Sequence, residues 1–223
     1  MIMLDQAFHA RRAQPAEMDL LWANGWRHFG AYFFRYSLAE HGGRVCSVMP
    51  LRIDLSRFAP SRSQRRALAR NRDLTVIIRD SFIDEDKEAL FDRHRRRFTD
   101  NVPDSLYTFL SRQPARVPCR NQEICVYDGA RLLAASFLDV GATATSAVYA
   151  IFAPEEHKRS LGIFTMLRAI EYSRELGCRY YYPGYAYREP SVYDYKKNFA
   201  ALEYLDWNSG QWSVVSYEHT ADH

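Results

Sequence analysis

Residues 148–187 read VYAIFAPEEHKRSLGIFTMLRAIEYSRELGCRYYYPGYAY, and this stretch decides the fold. Its first part closes TSAVYAIFA (145–153), a β-branched and aromatic run that ends at Pro154 and reads as a strand. PEEHKRSLGIFTMLRAIEYSRELG (154–177) reads as one long amphipathic helix. Ile163, Met166, Leu167 and Ile170 fall on one face, and Gly177 stands at the C-terminal cap. RYYYPGYAY (179–187) is strand again. A helix that joins two strands of one sheet requires those strands to be parallel neighbours. Just upstream, EICVYDGARLLAASFLDVG (123–141) reads as strand, Asp128-Gly129 turn, strand. The second half is therefore hairpin, strand, helix, strand.

Towards the N-terminus, residues 15–30 read as a short helix and a turn at Asn24-Gly25. Residues 31–38 and 45–55 read as strands of a hairpin about Gly42-Gly43. Pro60 and Ser61 open a basic helix, and 74–81 is a strand. Residues 84–98 form a helix whose acidic start and basic end suit its dipole, and 103–112 a further helix. The expectation is an α/β protein with a mixed sheet, residues 1–56 packing on a body of 57–223. An antiparallel meander leading into one strand–helix–strand unit resembles the GNAT-like acyltransferase fold.

Hydrophobic residues make up 47% and charged residues 26%, an ordinary globular balance. No apolar run is long enough to span a membrane, and MIMLDQAFHARR lacks the order of a secretory signal, so a cytoplasmic protein is expected. Cys46, Cys119, Cys125 and Cys178 form no C-x-x-C pair and read as reduced, buried residues. The net charge of +3 is modest, but the many arginines cluster.

Three constellations could carry chemistry. Arg57, Arg62, Arg65, Arg66, Arg70 and Arg72 lie close together, and Arg62, Arg66 and Arg70 share a helix face. They make either a phosphate-binding patch or a solvated face paired with the acids at 84–88. Arg93, Arg95, Arg96 and Arg97 read as a solvated helix end. In HKRSLGIF, Arg159, Ser160 and Gly162 stand where a helix N-terminus could meet a phosphate, or simply where a helix starts. The R-x-x-G spacing resembles the pyrophosphate loop of GNAT enzymes, except that Phe164 replaces the second small residue. The tyrosines of 180–187, with Lys196 and Lys197 after them, either wall a pocket or belong to a core strand with hydroxyls at the surface. GxSxG, HExxH, a Walker loop and a Cys/His nucleophile pair are absent. Neither metal nor cofactor is expected, which leaves positioning and electrostatics.

Three blocks together resemble one family: NGWRHFGAYFFRYS with MPLRIDLSRFAPSRSQRRALARNRDL, the stretch 148–187, and DYKKNF. They resemble the arginyl-tRNA–protein transferases and their bacterial leucyltransferase branch, over about residues 15–207. The resemblance implies a GNAT-like enzyme that takes an aminoacyl group from aminoacyl-tRNA. The acceptor would be an α-amine, usually that of an acidic N-terminal residue. It implies that Arg62, Arg65, Arg66 and Arg70 meet tRNA phosphates, and that Arg159, Ser160 and Gly162 lie near the tRNA 3′ end. Tyr149, Tyr182, Gly184 and Tyr185 would line the acyl pocket with Lys196 close by. Asp139 would face a basic aminoacyl side chain or fix a turn.

The chain departs from that pattern twice. The cysteine cluster before PLRI is reduced to Cys46, and a Leu-Gly-Tyr-Trp motif reads Pro183-Gly184-Tyr185-Ala186. An acyl-CoA-dependent N-acyltransferase and a non-catalytic tRNA-binding relative are the competing expectations. The acceptor could be a protein, a peptide or a small amine.

Overall fold

The computed structural model describes residues 3–99 and 102–215. In chain order it holds β1 (Asp5–His9), α1 (Pro15–Ala23), β2 (Arg27–Phe29), β3 (Tyr32–Tyr36), β4 (Leu38–His41) and β5 (Arg44–Asp54). Next come α2 (Arg62–Arg70), β6 (Thr75–Asp80), α3 (Glu85–Arg95), β7 (Asn121–Asp128), β8 (Arg131–Val140) and β9 (Ala144–Phe152). α4 (Leu161–Glu175), β10 (Tyr180–Tyr187), β11 (Leu202–Leu205) and β12 (Trp212–Val214) complete the order.

The main sheet runs β12-β11-β5-β10-β9-β8-β7-β6, with β4 paired to one end of β5. β1, β3 and β2 make a separate small sheet. As the crossover argument requires, β10 lies parallel to β9, and the other pairs are antiparallel. β5 is bonded on both sides, to β10 and to β11, so the last strand of the 1–56 segment lies inside the main sheet.

Each face of the sheet has its cover. Ile124 and Leu138 face α4, whose Met166, Leu167, Ala169 and Ile170 are buried against them and against Leu51 and Ile53. Each large apolar side chain so buried contributes about 1.5–3 kcal/mol. On the opposite face Cys125, Ala135, Phe137 and Ile151 meet Leu90 and Phe91 of α3. The alternation of β7 side chains puts adjacent Ile124 and Cys125 in different cores. All four cysteines are free and buried. Among the described residues no helix is long and apolar enough to cross a membrane.

Two expected helices are corrected. Residues 103–112 hold only a 3-10 turn, Leu106–Thr108, because the short run is rich in weak helix formers, Asp104, Ser105, Tyr107, Thr108, Phe109 and Ser111. The helix over 154–177 is broken in two. Pro154–Arg159 is 3-10, and Ser160 adopts left-handed angles (φ 54°, ψ 46°) before α4 begins. Asn71 Nδ2 donates to Arg159 O at 2.8 Å and Arg70 to Lys158 O, fixing the carbonyls that the break leaves open.

Candidate active site

β9 and β10 pair over only three residues, Ala144–Ser146 against Tyr180–Tyr182, and then part. The sequence explains the parting. Pro183 has no N–H for a ladder, and Gly184 takes φ +93° at a register shift against β5. A wedge opens between the C-terminal halves of the two strands, beside the start of α4.

Two cations cover the backbone exposed by the wedge. Arg27 donates to Ser146 Oγ and to Ala147 O, the first carbonyl beyond the paired stretch. Lys196, from the turn Asp194–Asn198, donates from Nζ to Tyr185 O at 2.8 Å. Opposite Tyr185 on β5 stands Pro50, which has no N–H to offer that carbonyl. Both cations crowd Gly184. A Cβ there would lie 3.4 Å from Lys196 Nζ and 3.7 Å from Arg27 Nη2. Burial, reinforced by the Arg27 charge, brings Lys196 down from 10.5 to about 7. Burial also lowers Arg27.

The tyrosines divide between wedge and core. Tyr149, on β9, stacks on Phe109 with centroids 3.7 Å apart, and its hydroxyl is buried without a hydrogen-bond partner. Burial raises it to about 12. Tyr185 donates to Gly25 O at 2.6 Å, so it fastens β10 to the turn after α1. Its ring meets Phe34 and Tyr36 edge-on. Tyr182 packs under α1 between Trp22 and Trp212, with its hydroxyl by Arg52. Tyr181, which the sequence reading left unassigned, is 0% exposed, and its hydroxyl has no partner. Burial raises it, and it lies within the fields of Tyr195 and Arg27.

Asp139 is buried on β8 and fully engaged. Its Oδ2 meets His28 Nε2 at 2.6 Å, and its Oδ1 accepts from Asn121 Nδ2 at 2.8 Å. His28 Nδ1 in turn bonds Gly30 O at 3.0 Å. Cys119 completes a buried trio with His28 and Asp139 whose ligand atoms lie within 4.8 Å of one another. At 2.6 Å the His–Asp contact is a hydrogen bond, closer than two ligands about a metal would stand. Burial and Asp139 push the Cys119 thiol well up, which keeps it protonated. The trio is a closed hydrogen-bonded cluster.

Arg159 ion-pairs with Asp73 at 2.9 Å and approaches Glu156 at 3.6 Å. Gly162 lets α4 approach β9, since a Cβ there would lie 3.2 Å from the Phe152 ring. Arg62, Arg65, Arg66 and Arg70 are exposed on α2, which Ser61 caps with Gln64. None of the four makes an ion pair among the described residues, so the expected alternative of pairing with the acids at 84–88 does not form. Arg97 is exposed just past the end of α3, as expected, and its guanidinium also lies 4.4 Å over Phe152, beside His94. Burial takes His94 down to about 4, so its Nδ1 accepts from Phe152 N–H at 3.1 Å.

Two sequence profiles match. Residues 3–66 match "Arginine-tRNA-protein transferase, N terminus", and residues 86–206 match the C terminus of the same proteins. The chain belongs to the arginine-tRNA–protein transferase family. An aspartate/glutamate leucyltransferase of Stenotrophomonas maltophilia K279a is 34% identical over 190 residues, which cover 82% of this chain and 74% of the relative. One from Acinetobacter baumannii AYE is 30% identical over 217 residues, covering 95% and 76%. Among solved structures, FemX superposes with TM-score 0.49 at 11% identity over 85% of this chain and 65% of that one. The C-terminal domain of a lysylphosphatidylglycerol synthetase from Agrobacterium fabrum gives 0.48 at 14%, over 62% and 46%. The chain thus spans about half of that structure's length.

This arginine-tRNA–protein transferase relative is an enzyme, and its fold is α/β with one large mixed sheet, as the sequence predicts. Sequence reasoning missed Arg27, Tyr181 and His94. NGWRHFG was quoted for its likeness to the family, yet nothing in its spacing says that Arg27 crosses to β9. Only the parted ladder reveals that need.

Proposed function

We propose that the enzyme moves leucine from leucyl-tRNA to the α-amine of a protein or peptide beginning with Asp or Glu, and that the wedge holds the aminoacyl ester. The observation that carries this reading is the Lys196 ammonium in the parted ladder, with its proton affinity brought near neutrality. The acceptor amine attacks the ester carbonyl and a C–N bond forms. The C–O bond to the terminal ribose breaks, and the ribose oxygen leaves with a proton. Near pH 7 Lys196 exists in both forms. The neutral amine takes a proton from the acceptor's ammonium, and the ammonium supports the oxyanion and returns a proton to the leaving oxygen. No covalent enzyme intermediate is needed, because the ester is already activated.

Leucine rather than arginine is favoured by what lines the wedge. The surroundings of Arg27 and Gly184 are largely apolar and aromatic, with Trp22, Trp26, Leu51 and Tyr185, and the carboxylate whose field reaches Arg27, Asp139, is occupied by His28 and Asn121. Among the described residues a guanidinium side chain would find no unengaged acid there. The exposed arginines of α2 suit the phosphates of the acceptor stem. Four reduced thiols suit a cytoplasmic setting. The reading is tested with labelled leucyl- and arginyl-tRNA and peptides beginning with Asp, Glu, Lys or Arg. Leucine on the Asp and Glu peptides, lost in Lys196→Met, is expected. Transfer of arginine alone, or leucine transfer undiminished in Lys196→Met, would refute it.

A further inference from the structure

Arg27 and Lys196 stand against the same glycine, and neither has a carboxylate within ion-pairing distance among the described residues. This is unusual company. Charged side chains withdrawn from water are normally paired, and like charges side by side oppose each other. The acid whose field reaches Arg27, Asp139, has both oxygens committed elsewhere. Arg27 has donated two of its N–H groups, to Ser146 and Ala147, and a guanidinium has more to give. Beside it lies the fully buried Tyr181, whose hydroxyl is unpartnered. A guanidinium and an amine without carboxylate partners, with a buried hydroxyl near them, make a place suited to an anion.

We propose that Arg27, with the Tyr181 hydroxyl, receives the side-chain carboxylate of the acceptor's N-terminal residue, while Lys196 attends its α-amine. The inference rests on the reading of the wedge as the transfer site. The geometry of the acceptor fits. In Asp only the α-carbon, β-carbon and carboxyl carbon lie between the amine and the carboxylate oxygens, and Glu adds a single methylene. A carboxylate fixed on Arg27 thus holds the amine beside Lys196, because both cations lie on the same side of Gly184, 3.4 and 3.7 Å from where its Cβ would stand. A phosphate of the tRNA is the less apt occupant. Arg27 is recessed between strands and an aromatic floor, whereas the exposed arginines of α2 already offer a surface to the RNA backbone.

The test compares peptides that differ only in Asp against Asn, or Glu against Gln, at the first position. The variants are Arg27→Gln, Arg27→Lys and Tyr181→Phe. Arg27→Gln removes a charge that also acts on Lys196, so both peptide classes should slow, but kcat/KM for the acidic peptides is expected to fall roughly 10- to 100-fold further than for the amide peptides, so that the preference collapses. Arg27→Lys should restore part of it. Tyr181→Phe, which keeps the ring and the fold, should cost the acidic peptides several-fold. Equal losses on acid and amide peptides would overturn the proposal, and so would a rise in KM for the aminoacyl-tRNA alone, which would make Arg27 a phosphate contact. Peptide titrations followed by calorimetry need no tRNA. Preferential binding of the Asp peptide that Arg27→Gln abolishes upholds the receptor even where transfer fails. Equal or absent binding of both peptides to the unaltered protein refutes it, whatever the transfer assay gives.

Discussion

Replacing Lys196 by Met should inactivate the enzyme and also make it more stable at neutral pH. The ammonium is held in a place that disfavours its charge, so its proton affinity falls from 10.5 to about 7. At about 1.4 kcal/mol for each tenfold change, the folded state sacrifices at most about 5 kcal/mol to keep this group charged. The side chain is part-exposed, and water moderates the penalty, so roughly half is a fairer figure. The variant also strands Tyr185 O, which costs about 1 kcal/mol. A net gain of about 1–2 kcal/mol remains, a rise in Tm of about 2–8 °C for a chain of this length. The sign depends on pH in a defined way. Between about 7 and 10.5 the unfolded chain binds the proton and the folded one does not, so the wild type gains stability as pH rises through this window. Below it the penalty is complete. Calorimetric melts at pH 6.5 and pH 10 should therefore show the advantage of Lys196→Met shrinking or reversing at the higher pH. An advantage that is absent at pH 6.5, or equal at the two values, would refute the claim that burial of a charged lysine is what the site sustains.

Three further outcomes follow from other parts of the molecule. Gly184→Ala forces a Cβ into φ +93° and against Lys196, so it should cost about 1–2 kcal/mol in urea unfolding and, by displacing the ammonium, at least tenfold in kcat. Lys87 is 0% exposed and bonds Asp84 at 2.8 Å and Glu123 at 3.2 Å, so Lys87→Met should destabilise by about 3 kcal/mol, leaving the fully buried Glu123 with Arg79 as its one remaining cation among the described residues, with KM for both substrates unchanged in the folded fraction. Arg62→Gln with Arg66→Gln should raise KM for aminoacyl-tRNA and flatten its salt dependence by about one log–log slope step per lost phosphate contact, while leaving peptide KM alone.

What could be read from the sequence was the local pattern. The 3.6-residue repeat of Met166, Leu167 and Ile170 and the Asp128-Gly129 turn sufficed for the meander, the crossover helix and the parallel pair. Gly184 and Lys196, which the family resemblance puts at one site, do lie against each other in the fold. Contacts made across distance were not legible. Arg27 reaches Ser146, and His28 reaches Asp139, over more than a hundred residues of chain, and no spacing rule connects them. The tyrosine run likewise hid its own division. A strand turns alternate side chains to opposite faces, and the irregularity after Tyr181 resets that alternation, so which hydroxyl faces the wedge depends on the bulge and not on the letters. Ser160 was missed as a break since serine gives no warning of left-handed angles.

The place of β5 bears on how the protein comes into being. It is made early, yet it is hydrogen-bonded to β10 and β11, which are made more than a hundred residues later. During synthesis the apolar run of Val48, Met49, Leu51 and Ile53 therefore leaves the ribosome well before either partner strand exists. Closing so long a loop is slow, and an unpaired apolar strand invites association with its own kind. Aggregation at high expression is the outcome this pairing predicts, and slower synthesis in the cold should lessen it.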